Sequence, residues 1–223
     1  MDVQAHFEGL AEEYDHWKRK NSYYYLNLKS LFRSLIPLQA SVLEIGCGTG
    51  DILASLEPRR GLGVDISAKM IDLASRKHAA DARLRFQVLD AASLRGIVDY
   101  EYIALADVLE HIPDLEAFFS HLAAICAPHT RLVISLANPF WEPLLMAAEK
   151  MGWKMPEGPH TRLTLTDNEA IFLRHRFRIL DKGYRLLIPR QVPGADWINA
   201  RFHRSMALRR LGFVVYWVLQ PLG

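Results

Sequence analysis

The stretch SVLEIGCGTGDIL, residues 41–53, joins an apolar run to a glycine-rich turn with a carboxylate on each side. Such a turn exposes bare backbone to a ligand, and a helix that begins there directs free N–H groups at a phosphate. A dinucleotide-binding turn would have a third small residue where this chain has Asp51. Asp51 and Glu44 would repel a phosphate, so we expect a positively charged ligand. The glycines that it would contact are Gly46, Gly48 and Gly50.

Three aspartates end the apolar runs that follow. Asp65 ends GLGVD and is placed to accept hydrogen bonds from two ribose hydroxyls. Asp90 ends LRFQVLD, where it could accept from an adenine amine, and Asp107 ends YIALAD, where it would face an ammonium group. Each aspartate alone would be interpreted as a turn or cap residue, but their order and spacing favour one cofactor. S-adenosylmethionine fits, because it has a sulfonium, an ammonium, a ribose and an adenine but no phosphate.

The elements that must position these aspartates are short apolar runs that alternate with helical segments. This alternation predicts an α/β fold with a doubly wound sheet, whose strand ends meet at one edge and bind the ligand. The runs are SVLEI, GLGVD, LRFQVLD, YIALAD and RLVISL. We expect a single domain over residues 1–223. Its expected parts are a helical lid over 1–40, a cofactor-binding core over 41–136 and a substrate side over 137–223.

The pattern changes after residue 139. WEPLLMAAEKMGW predicts a helix and KMPEGPHTRLT predicts an irregular loop. Thr166, with Glu169 three residues later, predicts a helix cap. FRILDKGYRLLIP predicts a strand with a kink at Gly183, and GFVVYWVLQP has the β-branched and aromatic composition of a final strand.

The motifs VLEIGCGTG, GVDIS, LDAASL and ADVLEHI resemble those of the class I S-adenosylmethionine-dependent methyltransferases. The flanking segments YDHWKRKNSYYY and LTDNEAIFLRHRFRILDKGYRLL are similar to those of small bacterial members that resemble quinone-biosynthesis methyltransferases. The resemblance implies a Rossmann-like, mostly parallel seven-stranded sheet whose last strand is antiparallel. It also implies cofactor contacts at Glu44, Gly46, Cys47, Gly48, Asp65, Ile66, Asp90, Ala91 and Asp107.

Two histidines are candidates for catalysis, because methyl transfer to some acceptors requires removal of a proton. His111 follows Asp107 by four residues and is the first candidate; the alternative is that it shapes its loop or packs under the cofactor. His160, in PEGPHTR, is the second candidate, and its alternative is a surface histidine of that loop.

Aromatic residues are concentrated near the N-terminus. They are Tyr14, Trp17, Tyr23, Tyr24 and Tyr25. One interpretation is a lid that orders over residues 2–27 when the cofactor binds, with Tyr14 in contact with the cofactor and Lys18, Arg19 or Lys20 paired with its carboxylate. The other is a helix packed on the sheet through its aromatic rings.

Composition and charge limit the location and the partners. Two cysteines, the absence of a signal-peptide pattern and the absence of a long apolar run predict a cytoplasmic protein without a disulfide framework or metal site. Residues 161–223 carry 11 Lys and Arg against 4 Asp and Glu, a balance of +7, whereas the rest carries 16 against 21, a balance of −5. The basic tail would suit weak contact with an anionic membrane. Its arginines are Arg201, Arg204, Arg209 and Arg210, and the preferred alternative is that they are solvated beside the final strand.

The favoured function is therefore S-adenosylmethionine-dependent methyl transfer to a small molecule or to a lipid or glycan precursor. A non-catalytic module that binds or senses the cofactor is the alternative from another class. A nucleic-acid methyltransferase is favoured only by the basic tail, because ANPF at 137–140 is a poor match to an NPPY motif. A dehydrogenase is disfavoured by Asp51.

Overall fold

The structure is a computed structural model that describes residues 2–94, 99–156, 158, 163–202 and 208–222. Seven strands form one sheet in the order β3-β2-β1-β4-β5-β7-β6. They are β1 (Ser41–Ile45), β2 (Arg60–Asp65), β3 (Leu84–Val88), β4 (Tyr102–Ala106), β5 (Arg131–Ala137), β6 (Phe177–Arg185) and β7 (Val214–Pro221). Strands β1 to β5 are parallel, and β7 runs antiparallel to β5 and β6. The predicted mostly parallel α/β sheet with an antiparallel last strand is confirmed.

Eight α-helices occur within the described residues. They are α1 (Val3–Lys20), α2 (Ser22–Leu35), α3 (Asp51–Ser55), α4 (Ala68–Lys77), α5 (Leu115–Ile125), α6 (Glu142–Lys150), α7 (Leu165–Arg174) and α8 (Ala195–Phe202). The helix predicted after residue 139 is α6. No helix in the described part of the chain combines the length and apolarity that a membrane crossing needs. The division into lid, core and substrate side stays a prediction.

The core lies on both faces of the sheet. On one face, rings of α5 and α7, Phe119 and Phe172, pack against Trp217 of β7. On the other face, α2 buries Leu28 and Phe32 against the sheet. Strand β1 is buried at all five residues because both faces of the parallel sheet are covered. This packing fixes the strand ends from which the predicted site residues project.

The predicted cap of α7 is wrong by two residues. The Thr164 hydroxyl accepts a hydrogen bond from the N–H of Asp167 (3.1 Å), and the Asp167 carboxylate accepts one from the N–H of Thr164 (3.0 Å). The sequence contains two overlapping capping patterns, Thr164 with Asp167 and Thr166 with Glu169. The Glu169 side chain makes a different contact. Its carboxylate accepts a hydrogen bond from Trp217 Nε1 (2.9 Å), so Thr166 does not cap the helix.

The predicted kink at Gly183 is also wrong. Gly183 pairs in register with Tyr216 of β7, and the irregularity of β6 lies between Ile179 and Asp181. A Cβ at Gly183 would lie 2.5 Å from the Tyr216 ring. The glycine therefore makes room for a ring on the neighbouring strand, which is a second common reason for glycine in a strand.

Candidate functional site

A cavity of about 1190 Å³ lies at the carboxyl ends of β1, β2 and β4. Most of the predicted site residues line it: Tyr14, Glu44, Gly46, Cys47, Gly48, Asp65, Ile66, Asp90, Ala91, Asp107 and His111. Gly50 does not line the cavity, and His160 lies outside the described residues. Residues separated widely in sequence therefore meet at one edge of the sheet, as the strand pattern predicts. We refer to the part formed by these strand ends as the strand-end half.

The glycine turn provides bare backbone because its conformation excludes side chains. Gly46 and Gly48 have φ angles of +69° and +51°, a region that side chains disfavour. A Cβ at Gly46 would overlap the Cγ2 methyl of Val108, and one at Gly48 would lie 3.1 Å from the Tyr14 ring. Gly50 has a φ of +76° and its missing Cβ makes room for Phe86 instead. Two glycines therefore open the turn to the cavity, and the third permits packing beneath it.

Asp65 and Asp90 lie at the ends of neighbouring strands. The Asp65 carboxylate accepts hydrogen bonds from the N–H groups of Gly48 (2.8 Å) and Ser67 (2.9 Å), one on each oxygen. Burial raises the pKa of Asp65. A carboxylate can accept about four hydrogen bonds, so Asp65 retains acceptor capacity for a ligand. Asp90 accepts a hydrogen bond from the N–H of Ala92 (3.0 Å) and caps a short 3₁₀ turn, so it is both a cap residue and a cavity residue.

The electrostatic argument from Asp51 needs correction. Its carboxylate forms ion pairs with Lys18 (3.0 Å), Lys77 (2.9 Å) and Lys29 (3.9 Å). Burial alone would raise the pKa of Asp51, but Lys18 and Lys77 outweigh burial and lower it. Asp51 is thus ionised, and its charge is compensated by the lysines rather than directed at a ligand.

Glu44 also differs from the sequence-based interpretation. It is buried, and its Oε2 accepts a hydrogen bond from the N–H of Leu53 (3.0 Å). Burial raises the pKa of Glu44 to about 8. The side chain is therefore mostly neutral at pH 7. Neither carboxylate beside the turn supplies the exposed negative charge that the sequence analysis assigned to it.

Asp107 is held by the protein on both oxygens. Tyr24 donates a short hydrogen bond to Oδ2, and the Ser135 hydroxyl donates to Oδ1 (2.7 Å). Its φ angle is +52°, and among the described non-glycine residues with positive φ it alone lines the cavity. Such backbone strain is concentrated at functional sites. Burial raises the pKa of Asp107.

Glu110 is a cavity residue that the sequence did not predict. It belongs to the 3₁₀ turn Leu109–His111 after β4 and lines the cavity. Burial, followed by the charge of Asp107, raises the pKa of Glu110 to about 8. The spacing from Asp107 could have indicated it, because a residue three positions later lies about one 3₁₀ turn further along the chain. The ring of His111 packs edge-on against Phe7 of α1, with 5.1 Å between ring centroids.

The N-terminal helices cover the site and also pack on the sheet. Tyr14, Tyr24 and Tyr25 line the cavity, whereas Trp17 and Tyr23 do not. Tyr23 instead donates a hydrogen bond to Asp196 of α8 (2.7 Å). Some of these rings therefore line the cavity and others do not, and the ordering of a lid on cofactor binding stays a prediction.

Polar contacts join α1 to the glycine turn and to α4. Lys18 donates to the Thr49 hydroxyl (3.0 Å), and Thr49 donates to Asp15 (2.8 Å). Glu8 accepts a hydrogen bond from the N–H of Ala68 at the start of α4 (2.6 Å). Three cations were predicted as partners of the carboxylate of the cofactor. Lys18 pairs with Asp51 instead, Lys20 donates to a backbone carbonyl, and Arg19 lines the cavity.

Another part of the cavity wall consists mainly of apolar side chains, and we refer to it as the apolar half. It is formed by Leu26, Leu144, Leu145, Ala148, Met151, Trp153, Met155, Ile188, Pro189, Val192 and Phe213. Several of these side chains are largely exposed, although apolar. Arg190 stacks on Trp153 with 5.2 Å between its guanidinium carbon and the ring centroid. Glu110 lines the cavity with Asp107 of the strand-end half and with Lys154, which follows α6, and the charges of both act on it.

The basic tail is partly described. GFVVYWVLQ forms β7, as the preferred alternative predicts. Arg201 of α8 stacks on Trp197 (5.0 Å), and Arg209 and Arg210 are exposed in a 3₁₀ turn before β7. Arg204 lies outside the described residues. Within the described residues, no three His, Cys, Asp or Glu side chains are arranged to hold a metal ion.

Comparison with known sequences agrees with this geometry. A family model described as a methyltransferase domain matches residues 14–198. The ubiquinone biosynthesis O-methyltransferase of Coxiella burnetii is 30% identical over 127 residues, which cover 53% of this chain and 54% of the relative. The chain thus spans about half the length of the curated relatives it matches.

Solved structures share the fold at low sequence identity. The methyltransferase in complex with the Trm112 methyltransferase activator of Haloferax volcanii has a TM-score of 0.74 at 17% identity, covering 100% of this chain and 99% of that chain. The magnesium protoporphyrin IX methyltransferase of Synechocystis PCC 6803, solved with bound SAH, has a TM-score of 0.65 at 20% identity, covering 99% and 100%. These likenesses extend over the whole sheet and its flanking helices.

Proposed function

Since the chain belongs to the class I S-adenosylmethionine-dependent methyltransferases, we propose that it methylates an oxygen of a small acceptor with a large apolar part. The observation that carries this proposal is a single cavity with two chemically different halves. Its volume of about 1190 Å³ exceeds the roughly 300–1,000 Å³ of a pocket for one small ligand. The cofactor and the acceptor can therefore occupy it together, one in each half.

The strand-end half fits the cofactor. Gly46 and Gly48 allow a ligand to approach the backbone, and Asp65 has acceptor positions left for ribose hydroxyls. In this proposal Asp90 accepts from the adenine amine and Asp107 faces the ammonium group. Glu44, Cys47, Ile66, Ala91 and Tyr14 complete the walls. The cofactor supplies a methyl group activated by a positively charged sulfur. The protein therefore has to align the two reactants, enclose them and remove a proton from the acceptor.

The apolar half fits the acceptor. Burying an apolar group against its side chains is favourable by about 25 cal/mol per Å² of area removed from water. Arg190 provides a cation at the Trp153 side for an acidic group of the acceptor. Methylation of oxygen is supported by the relative named as an O-methyltransferase. An apolar pocket favours a small molecule or lipid precursor over nucleic acid, which is bound mainly through its phosphates.

Two experiments test this function. Calorimetry should show binding of S-adenosylmethionine and of its demethylated product, but not of NAD. A radiolabelled methyl group should then be transferred to a component of a lipid extract rather than of a polar metabolite extract or nucleic acid. Binding without transfer to any of these would favour the non-catalytic module, and transfer only to polar metabolites or nucleic acid would contradict an apolar acceptor.

A further inference from the structure

Glu110 is a buried acidic residue whose hydrogen bonding within the described residues is incomplete. Its Oε2 is buried and has no hydrogen-bonding partner among the described residues, and the residue lines the cavity. Buried polar atoms are nearly always paired in native proteins, so each exception requires an explanation. A ligand group that completes the pairing when it binds is one such explanation. Because Glu110 lies close to both halves, we expect this ligand group to be the reacting group of the acceptor.

The neighbouring candidates for a base are engaged in other contacts. Both oxygens of Asp107 accept hydrogen bonds, from Tyr24 and from Ser135. The ring of His111 packs edge-on against Phe7 of α1. Of Asp107, Glu110 and His111, Glu110 therefore has the carboxyl oxygen that accepts no hydrogen bond from the described residues.

We propose that Glu110 is the general base that removes the proton from the acceptor hydroxyl. This rests on the proposed O-methylation. The acceptor oxygen bonds to the methyl carbon while the carbon–sulfur bond breaks, and the electron pair of that bond stays on sulfur. The hydroxyl proton passes to the Glu110 carboxylate, which returns it to water after the products leave.

The surroundings of Glu110 suit this task. It is influenced by Asp107 after β4, Tyr24 of α2, Glu142 of α6 and Lys154 after α6. Burial and the charge of Asp107 raise the pKa of Glu110 to about 8, and Lys154 opposes this. A phenolic hydroxyl ionises near pH ~10 and is neutral at pH 7, so it needs a base whose pKa is close to the working pH. The base form prevails above pH 8, and turnover should rise with pH until then.

The test uses two acceptors, 4-octylphenol and 4-octyl-2-nitrophenol, of which the second is far more acidic. Glu110→Gln should lower kcat for 4-octylphenol by about 10²–10⁴-fold and abolish the rise of rate towards pH 8. With the nitrophenol, measured above its pKa, the same variant should stay within about threefold of wild type, because no proton has to be removed. A merely structural role would reduce both rates equally, and that result would overturn the proposal.

A matched variant and a direct titration provide independent readouts. Glu142→Gln should keep the rise of rate and shift it to lower pH, because the charge of Glu142 raises the pKa of Glu110. Carbon NMR of protein labelled at the glutamate carboxyls should show two resonances that titrate near pH 8, one from Glu44 and one from Glu110, and Glu110→Gln should lack one of them. Two such resonances in Glu110→Gln would overturn the assignment. Binding of the demethylated cofactor, unchanged within about threefold, shows that the variant is folded.

The two proposals fail separately. If the wild type methylates neither phenol nor an oxygen of any component of the lipid extract, the proposed O-methylation is contradicted and the role of Glu110 falls with it. If the wild type methylates both phenols and Glu110→Gln retains the wild-type rate and pH dependence, the role of Glu110 alone is contradicted.

Discussion

The strand-end half of the cavity is built from backbone and strand termini, whereas the apolar half is built from side chains of α2, α6 and the segments around them. In the strand-end half the protein satisfies its own polar groups: Asp65 accepts two backbone hydrogen bonds and Asp51 is paired with lysines. In the apolar half, large side chains such as Leu144 and Val192 are exposed. The first half thus pairs these carboxylates within the protein, whereas the second leaves apolar side chains exposed to solvent.

Two glutamates show the same difference on a smaller scale. Burial is the main reason that Glu44 and Glu110 both have pKa values of about 8. Glu44 accepts a hydrogen bond from the N–H of Leu53, whereas no partner for the Oε2 of Glu110 occurs in the described part of the chain. The same burial therefore gives one carboxyl group a structural role and leaves the other available for chemistry.

The largest effect is expected from a side chain placed in the glycine turn. Gly46→Ala combines a left-handed backbone with an overlap on Val108, and should lower the free energy of unfolding by about 2–4 kcal/mol. Gly152→Ala is the matched control, because Gly152 has a φ of +65° and nothing within 4 Å of its missing Cβ. It should lose about 1–2 kcal/mol. Urea denaturation measures both, and equal losses would show that the turn is not tightly packed.

A smaller effect is expected on ligand affinity in the same half. Asp65→Ala should weaken binding of S-adenosylmethionine by about 1–3 kcal/mol, because hydrogen bonds to a charged acceptor are lost. Asp72→Ala removes an exposed aspartate outside the cavity and should leave affinity unchanged. Calorimetry provides both values. Unchanged affinity in a folded Asp65→Ala protein would show that the ribose assignment is wrong.

Stability should depend on pH through Glu44. Its pKa is raised to about 8 in the folded protein, so between the unfolded value and pH 8 the folded state binds more protons. Its contribution is fully present below pH ~4.3 and is lost as pH rises towards 8, by at most about 1.4 kcal/mol per pH unit. Glu44→Gln can still accept from Leu53 and should flatten the profile. If the unfolding free energies of the wild type and of Glu44→Gln change equally between pH 6 and 8, the raised pKa of Glu44 is contradicted.

In the apolar half, Trp153→Ala should raise KM for 4-octylphenol roughly 5- to 30-fold, as expected for 1–2 kcal/mol of lost contact. Binding of S-adenosylmethionine should not change. Trp197→Ala is the control, because Trp197 is similarly exposed and also stacks with an arginine but does not line the cavity. The same rise of KM in both variants would place the acceptor elsewhere.

The smallest effect concerns the basic tail, for which we propose weak, salt-sensitive contact with anionic membranes. At low salt, the wild type should sediment in part with anionic liposomes, because each basic residue near such a surface contributes about 1 kcal/mol. The triple change Arg201→Glu, Arg209→Glu and Arg210→Glu should abolish this. Lys69→Glu, an exposed change on α4, should not. If the wild type does not sediment with the liposomes at low salt, the proposed membrane contact is contradicted and the role of the tail is to form the final strand.

The sequence predicted the strand-end half well because that half depends on local patterns. An apolar run followed by glycines and an aspartate specifies strand, turn and helix within a dozen residues, and parallel strands then bring their ends together. The compensation of Asp51 by Lys77 could not be predicted, because it depends on how α4 packs against α3. The apolar half was missed for a related reason. Leu26, Trp153 and Val192 meet only after distant segments have packed, and no local spacing marks them.

The contacts that hold α1 over the glycine turn have a consequence for the speed of the enzyme. A ligand in the strand-end half has to pass α1 when it leaves, because Tyr14 of that helix lies against Gly48. Lys18 and Asp15 hold the helix there through charge and hydrogen bonds, and dissolved salt weakens the more exposed of these contacts, the pair of Asp15 with Lys77. We expect spent cofactor to leave slowly at low ionic strength, so that its release limits the overall rate. Moderate salt would then accelerate this enzyme, contrary to its usual effect on proteins that attract their ligands by charge.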